Sequence, residues 1–200
     1  DVERSRGLGD VYKRQGVLAP EGTGWAKNIK KMATEIKDAT KGNVELKIYY
    51  GGSQGDEQDV LRKIRIGQLQ GGIFTGKTLG EINGDVRVME VPFTFNHDRV
   101  KALKTLEAMT PFFNQKFEQN KFKNLATFEI GHVYFVTQKK VQDLNSIKSL
   151  KIWTWDGDPI VATLFESMNL IGVPLALPDV LASLSTGVVE AAYAPPIGII

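Results

Sequence analysis

Segments whose apolar residues return every three or four positions alternate along this chain with segments where they return every second position. A helix needs the first period and a half-buried strand the second, so the alternation constrains the fold more than any other feature. Trp25, Ile29, Met32, Ile36 and Ala39 mark one helical face, with Thr23 placed to cap its start and Gly42 to close its end. Val44, Leu46, Ile48 and Tyr50 then alternate with polar neighbours as a strand. Gly51 to Gly55 is a loop, Val60, Leu61 and Ile64 line a second helix ending at Gly67, and Ile73-Phe74 reads as a short buried strand. Asp98 is placed to cap a helix carrying Val100, Leu103, Leu106 and Met109, and Phe112, Phe113 and Phe117 pack a third, shorter one. Strands are expected at 125–128, 133–137, 150–155 and 188–192, and helices after Asp158-Pro159 and around Val180, Leu181 and Leu184. Such a succession predicts an α/β architecture.

The 200 residues allow one large domain or two small ones, and a net charge of +2 with scattered lysines and glutamates gives no basic tract for nucleic acid. The chain has no cysteine, which removes disulfides and thiolate metal sites. No run reaches the roughly 18 apolar residues of a membrane span; the best, 160–177, is broken by Glu166, Asn169 and Pro174. Asp10-Val11-Tyr12-Lys13-Arg14-Gln15 resembles the translation of a transposon end used in preparing sequencing libraries, so residues 1–15 are set aside as a non-native scar. The apolar end at Pro195 to Ile200 also reads as a cut.

Catalytic constellations are thin. Gly71-Gly72-Ile73-Phe74-Thr75-Gly76-Lys77-Thr78 fits the phosphate-loop pattern, in which Lys77 would reach terminal phosphates, Thr78 would hold magnesium and Asp156 would be the acidic partner. Its context argues against that alternative, since a helix precedes it and the glycines after it make a poor helix start. His97 and His132 stand far apart without ligand spacing, and no serine sits in a nucleophile elbow. Asp156 and Asp158, just before a proline, read as caps rather than as a catalytic pair. Neither an enzyme nor a cofactor is expected. Trp153 and Trp155 share a face at the carboxyl end of a strand, where ligands of open α/β sheets bind.

Several short segments, in order, carry a resemblance. They are Glu21 to Ala26, Gly51 to Glu57, Ile66 to Leu69, Val91 to Phe95, Ser149 to Ile152 and Leu184 to Glu190. Together they resemble the DctP-like solute-binding proteins of tripartite ATP-independent periplasmic (TRAP) transporters, from about Gly16 to Pro196. The resemblance implies a two-lobed, periplasmic-binding-protein-like α/β fold, truncated here at the C-terminus, with lobe I at 16–124 and an incomplete lobe II at 125–200. It places Gly71 to Thr78 on a strand and its exit turn. It also implies capture of a small organic ligand in the periplasm and delivery to TRAP membrane subunits, with a signal peptide that is missing here.

The departures matter as much. Carboxylate-binding members carry an arginine after the stretch matching Leu150-Lys151-Ile152, for bidentate pairing with the ligand; Trp153 stands there. A second family arginine, after Gly131, is replaced by Val133-Tyr134-Phe135, and the family's polar stretch before proline reads Glu190 to Pro195 with Tyr193 inside. The resemblance then implies a pocket walled by Trp25, Phe93, Trp153, Trp155 and Tyr193, with Asp156 accepting a hydrogen bond, and a ligand less anionic than a dicarboxylate. A family branch lacking the arginine works with tetratricopeptide-repeat proteins, so such a partner is also implied.

Overall fold

The computed structural model describes residues 12–195, which divide at Phe74/Thr75 into two compact units rather than at 124/125. The first unit holds a three-stranded parallel sheet, β1 (Tyr12–Gly16), β2 (Glu45–Tyr49) and β3 (Gly71–Gly72), in the order β2-β1-β3. β1 is the central strand, so four of the residues set aside as a scar take part in the fold. Backbone pairing on both sides asks little of side-chain identity, and Tyr12 to Gln15 alternates exposed with half-buried positions. Helix α1 (Gly24–Ala39) starts where expected: the Thr23 hydroxyl accepts the Ala26 N–H at 3.2 Å. Its face buries Ala26 and Ile29 against Val17 and Ala19, with Trp25, Ile48, Tyr50 and Ile73 around them. Helix α2 (Glu57–Arg65) buries Val60 and Leu61. Gly16 must be glycine, because a Cβ there would stand 2.7 Å from a Val60 methyl.

The strand expected at Ile73-Phe74 lies instead at Gly71–Gly72, and Gly76 opens helix α3 (Gly76–Ile82) in spite of its glycines. A 3₁₀ segment, Gly84–Glu90, follows, then helix α4 (Arg99–Gln119), capped by Asp98 accepting from the Lys101 N–H at 2.9 Å. α4 is one helix where two were expected, running through Pro111 and burying Phe113 and Phe117. No strand forms at 125–128.

The second unit's sheet has the order β4-β7-β5-β6, from β4 (Tyr134–Thr137), β5 (Lys151–Trp155), β6 (Ile171–Leu175) and β7 (Ala191–Ala194). β5 runs parallel to β6 and β7, and β4 closes one edge antiparallel to β7. Helix α5 (Leu144–Ile147) starts with a capping box between Asp143 and Ser146. Helix α6 (Pro159–Met168) is closed by Asn169 in the left-handed conformation, and α7 (Val180–Thr186) by Gly187. One face of the sheet buries Ile152 and Ala191 against Val161 and Phe165 of α6; the other buries Trp153, Val189 and Ala192 against Val180 of α7. Period-2 alternation along β5 produces this division. β6 had no counterpart in the sequence reading, since Gly172 and Pro174 disguise it; proline is tolerated because β6 is an edge.

Candidate functional site

In the second unit a cleft of about 590 Å³ opens at the carboxyl ends of β5 and β6, beneath α6. Its cause is local. Strand β6 turns Val173 and Leu175 to the α7 face, which leaves Gly172 and Pro174 toward α6. Gly172 lets Phe165 of α6 pack directly on the strand: a Cβ there would stand 3.2 Å from Phe165 Cδ1 and 3.6 Å from Thr154 Oγ1. Thr154, Trp155, Phe165, Leu170 and Pro174 form the cleft's walls, and Asp156 and Glu166 stand at it as exposed carboxylates.

Beside it lies a charge cluster that sequence reasoning missed. Asp158 is 7% exposed and caps α6, its Oδ1 accepting the N–H groups of Ile160 at 3.0 Å and Val161 at 3.4 Å. Arg87, from the 3₁₀ segment, donates through Nη2 to both Asp158 oxygens, at 2.8 and 2.9 Å. Arg87 Nε stands 2.9 Å from Glu90 Oε2, an ion pair without hydrogen-bond alignment. One guanidinium therefore answers two carboxylates. Glu90 keeps 44% of its side chain exposed, yet desolvation of its carboxyl holds its pKa above the ordinary range; Arg87 opposes that rise and Asp158 adds to it. Burial raises the Tyr193 pKa as well, with Asp158 and Glu90 adding to the shift. The Tyr193 ring packs 5.1 Å from Phe135 and 5.7 Å from Phe165, which joins the cluster to the cleft's wall.

The expected site residues are dispersed. Trp155 and Asp156 line the cleft, and Tyr193 is half-buried behind Phe165. Trp153 is a core residue instead of a pocket wall: it is 1% exposed, its Nε1 donates to the Leu175 carbonyl at 2.9 Å, and it packs 5.2 Å from Trp155 on the α7 face. Sharing a face with Trp155 is what buries it. Phe93 is 78% exposed on a turn, with φ of 66°. Trp25 lies in the first unit, half-buried, with its indole N–H buried and unpartnered among the described residues. Thr154 and Gly172 could have been found from the alternation itself, being the off-phase neighbours of the two tryptophans and of Val173.

The other motifs resolve simply. The phosphate-loop pattern does open a helix, but Lys77 is 6% exposed with Nζ 3.7 Å from Glu81 Oε1, and Thr78 is fully buried. Neither is presented to a nucleotide. Gly76 has a packing reason: a Cβ there would fall 1.7 Å from Glu90 Oε1. His97 and His132, distant in sequence, meet with ring centroids 5.8 Å apart. Among the described residues no three His, Cys, Asp or Glu side chains gather as a metal site, and no helix is long and apolar enough to cross a membrane.

Comparison with known proteins gives the setting. A solute-binding protein of Chromohalobacter salexigens is 27% identical over 168 residues, 83% of this chain and 49% of that protein. A TRAP periplasmic solute binding protein from Desulfovibrio salexigens, solved with bound orotic acid, superposes with a TM-score of 0.83 at 24% identity, over 92% of this chain and 60% of that one. Another, from Pseudomonas putida F1 with bound D-glucuronate, gives a TM-score of 0.82 at 24% identity, over 94% and 62%. The chain thus spans about half the length of that curated relative and three fifths of the solved ones. Residues 16–199 match the family model of DctP, bacterial extracellular solute-binding protein, family 7, and the chain belongs to that family.

Proposed function

We propose that the protein is the extracytoplasmic solute-binding component of a TRAP-type secondary transporter, which closes over a small organic ligand in the periplasm and hands it to membrane subunits without chemical change. The observation that carries this reading is the cleft at the carboxyl ends of parallel strands, with Trp155 and Asp156 in its wall, in a chain of the DctP family. Trp155, Asp156 and Tyr193 are the ligand-contact residues proposed here.

The cargo is expected to be less anionic than the orotic acid or D-glucuronate of the solved neighbours. Trp153 and Val133-Tyr134-Phe135 occupy the places of the family's arginines, and Arg87 is already neutralised by Asp158 and Glu90. An anion desolvated without a partner costs several kcal/mol. Mass spectrometry of small molecules released on denaturing natively purified protein tests the reading. A stoichiometric neutral or weakly charged organic compound is expected; a simple dicarboxylate would refute the weakly polar pocket, and no small molecule would refute capture. The missing arginines also support a tetratricopeptide-repeat partner, which co-purification from the native host tests.

A further inference from the structure

We infer that Arg87 and Asp158 form a releasable latch, which holds the helical part of the second unit (76–119) on its sheet part (134–194) and lets the two swing apart when it opens. The inference concerns the chain's own conformational equilibrium and does not depend on the ligand. Within the unit, α3 and α4 pack on the 3₁₀ segment between them, whereas the apolar clusters on both faces of the sheet draw on residues between 135 and 194. Residues 122–133, which connect the two parts, form neither helix nor strand and are largely exposed. The bidentate Arg87–Asp158 pair bridges the parts, with its side chains only 13% and 6% exposed.

Two features allow this pair to part. First, each member has a second partner on its own side. Glu90 Oε2 stands 2.9 Å from Arg87 Nε within the 3₁₀ segment, and Asp158 accepts from the Ile160 and Val161 N–H groups of its own helix. Breaking a buried ion pair is costly when it strands a charge; here neither charge is stranded. Second, Arg87 has a built seat. A Cβ at Gly80 would stand 2.7 Å from Arg87 Cγ, and one at Gly76 would stand 1.7 Å from Glu90 Oε1. The two glycines share one face of α3, four residues apart, and so make a groove that seats the arginine stem and its neighbouring carboxylate. The seat belongs to the helical part and the receiving cap to the sheet part. An arginine held in place before its acceptor arrives loses little side-chain freedom when the latch closes.

Double electron–electron resonance on the whole chain tests this, since the absence of cysteine lets two spin labels be placed uniquely. Labels at Glu107→Cys on α4 and Ser167→Cys on α6, both exposed positions, span the latch. A Lys140→Cys and Ser167→Cys pair lies within the sheet part and serves as the control. Arg87→Met keeps the stem on Gly80, and Asp158→Asn keeps an oxygen for the cap. Each should raise the fraction of molecules beyond the parent's main 107–167 distance at least about threefold. Glu90→Gln leaves the latch itself in place and should raise that fraction less than about 1.5-fold. The control distances should match the parent's throughout. An unchanged 107–167 distribution in either latch variant overturns the inference. So does a control pair that broadens with it, because the ion pair would then only keep the sheet part folded. An effect of Glu90→Gln equal to that of Arg87→Met overturns it as well.

Discussion

Asp158 holds the second unit together in two ways, and substitution there separates them. Its carboxylate caps α6 and is the buried counter-charge of Arg87, whose side chain is 13% exposed. Removing one partner of a buried ion pair costs about 3–5 kcal/mol, and losing a helix cap costs about 1 kcal/mol. Glu90, 2.9 Å from Arg87 Nε, remains as a second counter-charge and draws the first figure to its low end. Asp158→Ala should therefore cost about 4 kcal/mol. Asp158→Asn keeps an amide oxygen for the Ile160 N–H, so it should cost about 2–3 kcal/mol, all from the lost charge. Urea unfolding in a Trp25→Phe background leaves Trp153 and Trp155, both in the second unit, as the reporters. With a slope of about 2 kcal/mol per molar, the midpoints should fall by about 2 M and about 1–1.5 M. A loss below about 1 kcal/mol for Asp158→Ala, or equal losses for the two variants, would refute this division of roles.

Gly76→Ala would place a methyl within 2.1 Å of the Glu90 Cδ and should cost about 1–3 kcal/mol; in a Glu90→Ala background the cost should nearly vanish in a double-mutant cycle. Because the folded-state pKa of Glu90 is raised, its stabilising contribution is full below the unfolded value and is lost as pH rises through the folded one. Glu90→Gln should accordingly remove that loss and raise stability at neutral pH relative to the parent, which urea midpoints at several pH values check. Trp153→Arg should not restore acid binding, since the guanidinium would enter a core position that is 1% exposed. Destabilisation of several kcal/mol without calorimetric binding of D-glucuronate is expected, and a stable variant that binds it would defeat the argument.

Local periodicity made much of the fold legible and almost none of the site. Thr23, Asp98, Asp158 and Gly187 mark the starts and ends of helices in the sequence because caps are short-range chemistry. β1 and β6 were missed for different reasons. Tyr12 to Gly16 becomes a strand by pairing with β2 and β3 more than by its own pattern, and Gly172 and Pro174 replace the apolar residues that announce a strand. α4 continues past Pro111, although a proline N–H is missing there, because Phe113 and Phe117 beyond it are buried. The Arg87–Asp158 pair joins residues 71 apart, and no local pattern encodes such a contact. Trp153 was placed on the wrong side of the question: its position at a strand's carboxyl end was read correctly, but the same strand sends alternate residues into opposite layers.

That alternation decides which side chain position 153 can accept. A guanidinium on the α7 face of β5 would be a buried charge without a counter-charge. Trp153 avoids that, because its single N–H is satisfied by Leu175 and its rings complete the packing with Val180, Val189 and Ala192. The next residue, Thr154, faces α6 beside Gly172 and Phe165, so consecutive residues of β5 serve opposite layers of the unit.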